Sequence, residues 1–281
     1  MKHFLNIFLL KARKVLHHKN SVRYFLSHVG KQFVGFLYLT FHVLVKIYQP
    51  VIHRGNYHLL MTPTLFSVLL YRYPDLDRED EDVISSLLKE GMVYVDVGAN
   101  IGTTTLAAAH AVGNSGHVYA FEAHPVTARG LQKSVDINHH LKNRVTIRSV
   151  ALGEKVGVTH MSNLDMDDLN FVTTEGVEVR MSTLDTELEN IERLDLLKID
   201  VEGYEKCIFD GAVETLKKTD KIYFESFEPN FRRFGYTLDA ILQQLHSASF
   251  IVYSIKGGEY KEVHKGYRNE DVYENLLAVR K

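Results

Sequence analysis

Met92-Val-Tyr-Val-Asp-Val-Gly-Ala-Asn-Ile-Gly102 decides the fold of this chain. Its apolar run reads as a buried strand ending on an aspartate, Asp96, and the helix-compatible run Thr103 to Val112 follows a glycine turn, Gly98 to Gly102. In a strand–glycine loop–helix unit the backbone can approach a ligand closely, because glycine has no Cβ. A dinucleotide pyrophosphate favours the pattern G-x-G-x-x-G and no carboxylate in its path. Here the spacing is G-x-x-x-G, and Asp96 stands directly before the turn. A carboxylate there repels phosphate and suits a ligand that carries an ammonium group. S-Adenosylmethionine has no phosphate and ends in an amine, so the loop predicts a methyltransferase-like entrance.

A second apolar run, His117-Val-Tyr-Ala-Phe-Glu-Ala-His-Pro125, carries Glu122 at its end, 20 residues after Gly102. A carboxylate at that place can accept hydrogen bonds from both hydroxyls of a ribose. NAD proteins share this feature, so Glu122 predicts a nucleoside. Asp96 and the absent middle glycine then favour S-adenosylmethionine over a dehydrogenase cofactor.

With 281 residues the chain has ample material for a core. Its net charge of −2 hides an asymmetry: the first 74 residues hold ten Lys/Arg and no acidic residue, whereas the remainder holds 23 basic and 35 acidic residues. That split predicts a basic arm meeting an anionic surface. The single cysteine, Cys207, excludes an intrachain disulfide framework and a Cys-based metal site, and points to the reducing cytoplasm.

The chain divides at a polar connector, Asp75 to Glu81, into a helical extension, 1–74, and a domain over 75–281. Leu5, Phe8, Leu9, Ala12, Val15 and Leu16 recur at helical spacing opposite Lys11, Lys14 and His18, the pattern of a basic amphipathic helix. The apolar run Phe33–Val45 falls short of the ~20 residues that span a bilayer. Residues 1–50 are therefore expected either to cover the domain or to contact a membrane surface peripherally. From Met92 onward strands are predicted at 92–98, 117–123, 145–152, 195–201, 221–227, 250–256 and 274–280, with helices at 83–89, 103–112, 125–138, 204–218 and 237–248. Short extra strands are expected at 157–162 and 176–181. This alternation predicts an α/β fold: a mostly parallel seven-stranded Rossmann-like sheet with helices on both faces and a terminal antiparallel hairpin, as in class I methyltransferases.

Leu194-Asp-Leu-Leu-Lys-Ile-Asp-Val-Glu-Gly-Tyr-Glu205 supplies a third acidic strand end, Asp200, followed by Glu202. In an open α/β sheet, ligands lie beyond the carboxyl ends of the central strands, so Asp96, Glu122 and Asp200 converge there. Glu202 either joins that site or caps the next helix. Val95–Gly102, Phe121-Glu-Ala-His-Pro125, Val150-Ala-Leu-Gly153, Ser182-Thr-Leu-Asp185, Leu197–Gly203 and Tyr223-Phe-Glu-Ser226 together resemble the FkbM family of S-adenosylmethionine-dependent methyltransferases. The resemblance covers about residues 90–256. It implies methyl transfer to hydroxyl oxygens of sugars or other small molecules. It also implies that Asp96, Gly98, Ala99, Asn100 and Gly102 hold the methionyl and ribose region, Glu122 the ribose, and Ala151 and Leu152 the adenine. Asp200 and Glu202 would border the transferring methyl. His124 departs from the family pattern and is expected to be exposed, the alternative being a place beside the adenine.

An alcohol is a poor nucleophile and needs a base within about 2.6–3.2 Å, for which Asp200 is the first candidate and Glu202 the second. Asp200, Glu202 and Glu225 can also hold a hard divalent cation, but no ligand spacing specifies one, so no metal is assigned. The adjacent histidine pairs His17-His18 and His139-His140 lack a third ligand at zinc spacing. The apolar pattern of the basic arm suits lipid or core, so no nucleic-acid partner is expected. The competing function is a non-catalytic, membrane-associated binding protein built on the same fold.

Overall fold

The computed structural model describes residues 45, 47–62, 64–73, 75–163, 170–256, 258–267 and 272–281. The predicted amphipathic helix of residues 5–16, most of the apolar run 33–45 and the acidic stretch 165–168 lie outside the described residues.

Eight strands form the main sheet. Five are parallel: β3 (Val93–Val97), β4 (His117–Phe121), β5 (Val145–Arg148), β10 (Leu194–Ile199) and β11 (Thr219–Ser226). β14 (Glu274–Arg280) lies antiparallel between β11 and β12 (Phe250–Lys256). β13 (Glu259–Glu262) adds an exposed, charged edge strand, which makes eight strands where the pattern predicted seven. Such an edge discourages pairing with a second sheet. The order β5-β4-β3-β10-β11 reverses between β3 and β10, which opens a crevice at their carboxyl ends.

Alternation along the strands builds two cores. Val95, Val97, Leu197 and Ile199 face a cluster that includes Ile208 and Phe209 of α6 (Glu205–Asp210), Leu216 of α7 (Val213–Lys217), Phe231 of α8 (Glu228–Arg233) and Ile241 and Leu245 of α9 (Leu238–Ser247). Tyr94, Leu196 and Tyr223 face the other cluster, with Ile84 of α2 (Arg78–Leu87), Leu106 of α3 (Thr103–Ala111) and Leu131 of α4 (Pro125–Ile137). All six residues of β10 are buried, as expected of a strand covered on both faces.

Three departures from the expected elements have local causes. The run 145–152 splits: β5 stays in the main sheet, while β6 (Ala151–Leu152) pairs with β9 (Val177–Ser182) in a smaller sheet with β7 (Gly157–Met161) and β8 (Val172–Thr173). The run 204–218 breaks into α6 and α7 at Gly211, where a Cβ would lie 2.0 Å from the Gly153 carbonyl oxygen. Asp185, in α5 (Leu184–Glu187), accepts from the Glu214 and Thr215 N–H groups and fixes the start of α7. The acidic connector, in turn, becomes the first turn of α2, where Glu79, Asp80 and Glu81 complement the helix dipole.

The boundary expected at residue 74 cuts through a shared core. Ile52 of β1 (Val51–His53), Leu59 of β2 (His58–Leu60) and Leu70 of α1 (Leu65–Arg72) pack in the same cluster as Ile84 and Tyr94. The hairpin β1–β2 is fastened to α2 by a buried ion pair: the Arg54 guanidinium donates to Glu81 and, at 2.7 Å, to the Leu76 carbonyl, and Tyr57 donates to Glu81 as well. Arg54→Ala strands the Glu81 carboxylate, because breaking one side of a buried pair costs about 3–5 kcal/mol. Urea unfolding of Arg54→Ala should show that loss as a lowered midpoint with an unchanged slope.

Candidate functional site

A cavity of about 250 Å³ opens at the sheet reversal. The loop after β3 contributes Gly98, Ala99 and Asn100, and the end of β4 contributes Phe121 and Glu122. Val150, Ala151, Leu152, Met161 and Val172 give it an apolar side, while Lys198, Asp200, Glu202 and Glu225 give it a polar one. Phe66, Leu69, Tyr73, Leu76, Asp77 and Asp80 close it from the N-terminal region, which therefore acts as a wall.

Gly98 sets the approach of the two central loops. Its φ is +80°, and a Cβ would stand 1.9 Å from the Asp200 carbonyl oxygen. No other residue type fits there. Glu122 is buried beside this turn. Its two oxygens accept from the Asn100 N–H at 2.9 Å and the His124 N–H at 2.8 Å. Each oxygen keeps a lone pair for a ligand hydroxyl. Burial pushes the Glu122 carboxyl up to about 7, against the pull of the two N–H bonds. The Asn100 side-chain oxygen is buried without a hydrogen-bond partner, an acceptor left for a donor in the cavity. Two ribose hydroxyls, an apolar base and an amine match this set of acceptors.

Asp96 corrects the expectation drawn from the sequence. It is fully buried and does not line the cavity. Its Oδ2 accepts from Thr104 and Thr105 at 2.9 and 2.6 Å, and its Oδ1 lies 3.5 Å from the Lys198 ammonium. Asp96 thus holds Lys198 and the start of α3. Gly102 is likewise set back, with φ +100° and a Cβ position 2.6 Å from Leu131, so it serves the packing of α3 on α4. His124, expected to be exposed, is buried at the start of α4, with Nδ1 3.4 Å from Thr127 Oγ1.

Asp200 and Glu202 both reach the cavity, and with Glu225 they offer carboxylate oxygens within 4.8 Å of one another. Oxygen donors of this kind suit a hard divalent cation. Asp200 is the more open of the pair and lies 3.4 Å from Lys198. Glu202 does not cap the following helix. It has a left-handed φ of 56° and accepts from Asn230 Nδ2 at 2.8 Å. Glu205 takes the structural role instead: its Oε1 accepts from the Val201 and Gly203 N–H groups, and burial pushes its carboxyl up to about 7. Cys207 is half-buried with its thiol pushed up by burial, so it supplies no ready thiolate.

Residues 96–252, more than half of the chain, match the model of the methyltransferase FkbM domain. This chain belongs to the FkbM methyltransferase family. S-Adenosylmethionine is the methyl donor of this enzyme class, and Glu122, Asn100 and the apolar side fit it. Among solved structures, the chain is similar to an FkbM methyltransferase from Methylobacillus flagellatus KT, at 16% identity and a TM-score of 0.45, over 69% of this chain and 44% of that one. It is also similar to a SAM-dependent O-methyltransferase from Thermotoga maritima, at 17% identity and a TM-score of 0.43, over 84% of this chain and 81% of that one. Magnesium protoporphyrin IX methyltransferase from Synechocystis PCC 6803 shares 12% identity at a TM-score of 0.44, over 88% and 91%. These likenesses concern the fold alone. No curated protein matches the sequence.

Among the residues that line the cavity, the sequence pattern missed Lys198 and Asp80. Lys198 had a signal, a lysine in a strand of otherwise apolar residues but for Asp195, with Asp200 two positions on. Asp80 had none, because its contacts, Tyr223 and Asn275, are remote in sequence.

With the ionised form of Glu122 as acceptor of the ribose hydroxyls that the family resemblance assigns to it, binding would expel a proton wherever the free carboxyl is protonated. Affinity for S-adenosylmethionine should therefore strengthen as pH rises through about 7, by at most about tenfold per pH unit below it, and level off above. Calorimetry from pH 6 to 8 checks this, and Glu122→Gln should bind weakly with a flat profile.

Proposed function

We propose that this FkbM methyltransferase methylates a hydroxyl oxygen of a neutral, polyhydroxylated small molecule such as a sugar, with Asp200 as the general base. The observation that carries this reading is the group of carboxylates, Asp200, Glu202 and Glu225, at the lip of the cofactor cavity. S-Adenosylmethionine, when bound, supplies an electrophilic methyl group, and the protein's share of the work is alignment, exclusion of water and removal of the hydroxyl proton. Asp200 is solvent-reachable at 39% side-chain exposure and can meet an acceptor hydroxyl. Lys198 steadies it from below. Glu202, fixed by Asn230, orients a neighbouring hydroxyl of the same acceptor or takes the proton in its stead.

Charge narrows the acceptor. Asp77, Asp80, Glu122, Asp200, Glu202 and Glu225 line the cavity, and among the described lining residues Lys198 is the one cation. A phosphorylated or carboxylated acceptor meets like charge there, at an energy that a poorly solvated cavity magnifies. Tyr73 and Phe66 line the same cavity and offer aromatic surface to a sugar ring. The intact set of Gly98, Glu122 and Asp200 in one cavity weighs against a non-catalytic binding module.

Peripheral membrane contact through residues 1–50 is supported by the basic, apolar composition of that arm and by Ile47 and Tyr48, which are 67% and 73% exposed where it joins the domain. Among the described residues no helix is long and apolar enough to cross a membrane. Flotation with anionic liposomes that is lost on removing residues 1–46 would support contact, and unchanged flotation would refute it.

Release of S-adenosylhomocysteine against a panel of glycosides tests the reaction. Neutral glycosides should turn over and their phosphorylated counterparts should not. Asp200→Asn should lower kcat by about 10²–10⁴-fold with cofactor affinity retained. Turnover of the variant at the wild-type rate removes Asp200 as base.

A further inference from the structure

A second site lies on the β1–β2 hairpin, away from the cavity. His53 and His58 are register partners across the two strands. Their Nδ1 atoms stand 3.0 Å apart, and their rings meet at 81° with centroids 4.6 Å apart. His53 is exposed and His58 half-buried, and neither lines the cavity.

The two separations are informative together. Two imidazoles that each bind one cation through Nδ1 at roughly 2.0–2.1 Å place those nitrogens about 3.0 Å apart at a right-angle bite, and about 3.4 Å apart at a tetrahedral one. The right-angle bite also sets the ring centroids roughly 4.6 Å apart, whereas a straight N–H···N hydrogen bond of normal length sets them roughly 5.3 Å apart. Both observed distances meet the right-angle case. That bite belongs to tetragonal Cu(II) or Ni(II) complexes, while structural zinc favours the tetrahedron.

The backbone under the pair is held in advance. Asn138, at the end of α4, accepts from the His58 N–H at 2.9 Å and donates to the His58 carbonyl at 2.7 Å, and Ser134 Oγ accepts from the Leu60 N–H. Ile52 and Leu59 are buried in the core between the two histidines and the sheet. Little order therefore has to be gained on binding. The neighbouring His110 and His140 are engaged with Asn56.

We propose that His53 and His58 form a two-histidine chelate for a tetragonal divalent cation, Cu(II) or Ni(II), with water in the remaining positions. Its occupation clips the hairpin that leads into the cavity wall.

Ni(II) titrated into the full chain during thermal unfolding tests this, because a ligand that binds only the native state raises Tm. Adjacent histidines elsewhere bind the unfolded chain as well and contribute less to that rise. The wild type should show a Ni(II)-dependent rise in Tm that His53→Gln and His58→Gln each remove, with Ni(II) affinity at least tenfold weaker, while His139→Gln retains it. Electron paramagnetic resonance with one equivalent of Cu(II) should show two nitrogen ligands in the wild type and fewer in either variant. Affinity for S-adenosylmethionine should be the same in all of them. Equal Tm rises in wild type and both variants, or identical Cu(II) spectra, would overturn the site and leave the rings sharing only a proton.

Discussion

One ammonium group organises the centre of this molecule. Lys198 sits inside the buried strand β10, in register with Asp96 on β3, and lies between Asp96 at 3.5 Å and Asp200 at 3.4 Å. A lysine buried alone would lose its charge. Here burial pulls its pKa down, but Asp200, Asp96 and Asp80 outweigh that pull, and it stands above the ordinary lysine value. The charges are therefore mutually required. Removing the ammonium leaves Asp96 unpaired in a low-dielectric interior, at about 3–5 kcal/mol, whereas the part-exposed Asp200 can turn to water. The same contact joins two places in the site, since Asp96 anchors the start of α3 behind the glycine loop and Asp200 lines the cavity.

The backbone repeats that coupling. Gly98 touches the Asp200 carbonyl so closely that a methyl group cannot enter, and the Asp200 N–H donates to the Val97 carbonyl at 3.0 Å. The two acidic loops thus form one rigid piece. The outer wall is tied to it from α2: Asp80 accepts from Tyr223 at 2.6 Å and from Asn275 at 2.7 Å, on β11 and β14 respectively. Arg54 and Glu81 hold the hairpin to the same helix. The wall and the floor of the cavity therefore belong to one body, which suits a reaction that depends on alignment more than on acid–base strength.

The strands and helices from Val93 onward were largely legible because their signals are local: apolar runs of strand length, glycine turns and acidic strand ends. The convergence of Gly98, Ala99, Asn100, Glu122, Ala151, Leu152, Asp200 and Glu202 on one cavity was legible for the same reason, since each follows a strand whose place in the sheet the alternation predicts. What escaped was set by tertiary contacts. The break at Gly211 depends on the Gly153 carbonyl, 58 residues away. The helical start at Arg78 depends on a buried partner for Glu81 supplied by Arg54. Residues 51–72 read as part of an extension because their composition is basic and apolar, yet they contribute Ile52, Leu59 and Leu70 to the main core.

Asp96 shows how a correct inference can rest on an incomplete cause. A carboxylate before the turn argued against phosphate, but Asp96 faces Lys198 and two threonines and not the cavity. The carboxylates that do face the cavity are supplied by α2 and its N-cap, the residue after β4, β11 and the loop after β10. Asp96 contributes indirectly: by sharing the one cation among the described lining residues, it lowers what Lys198 can offer an anion. On the function we propose, phosphate is disfavoured twice, by the negative charge that faces it and by the pairing of the positive charge that would receive it. A donor with a sulfonium and an amine, and the uncharged acceptor that we propose, are both compatible with such a field.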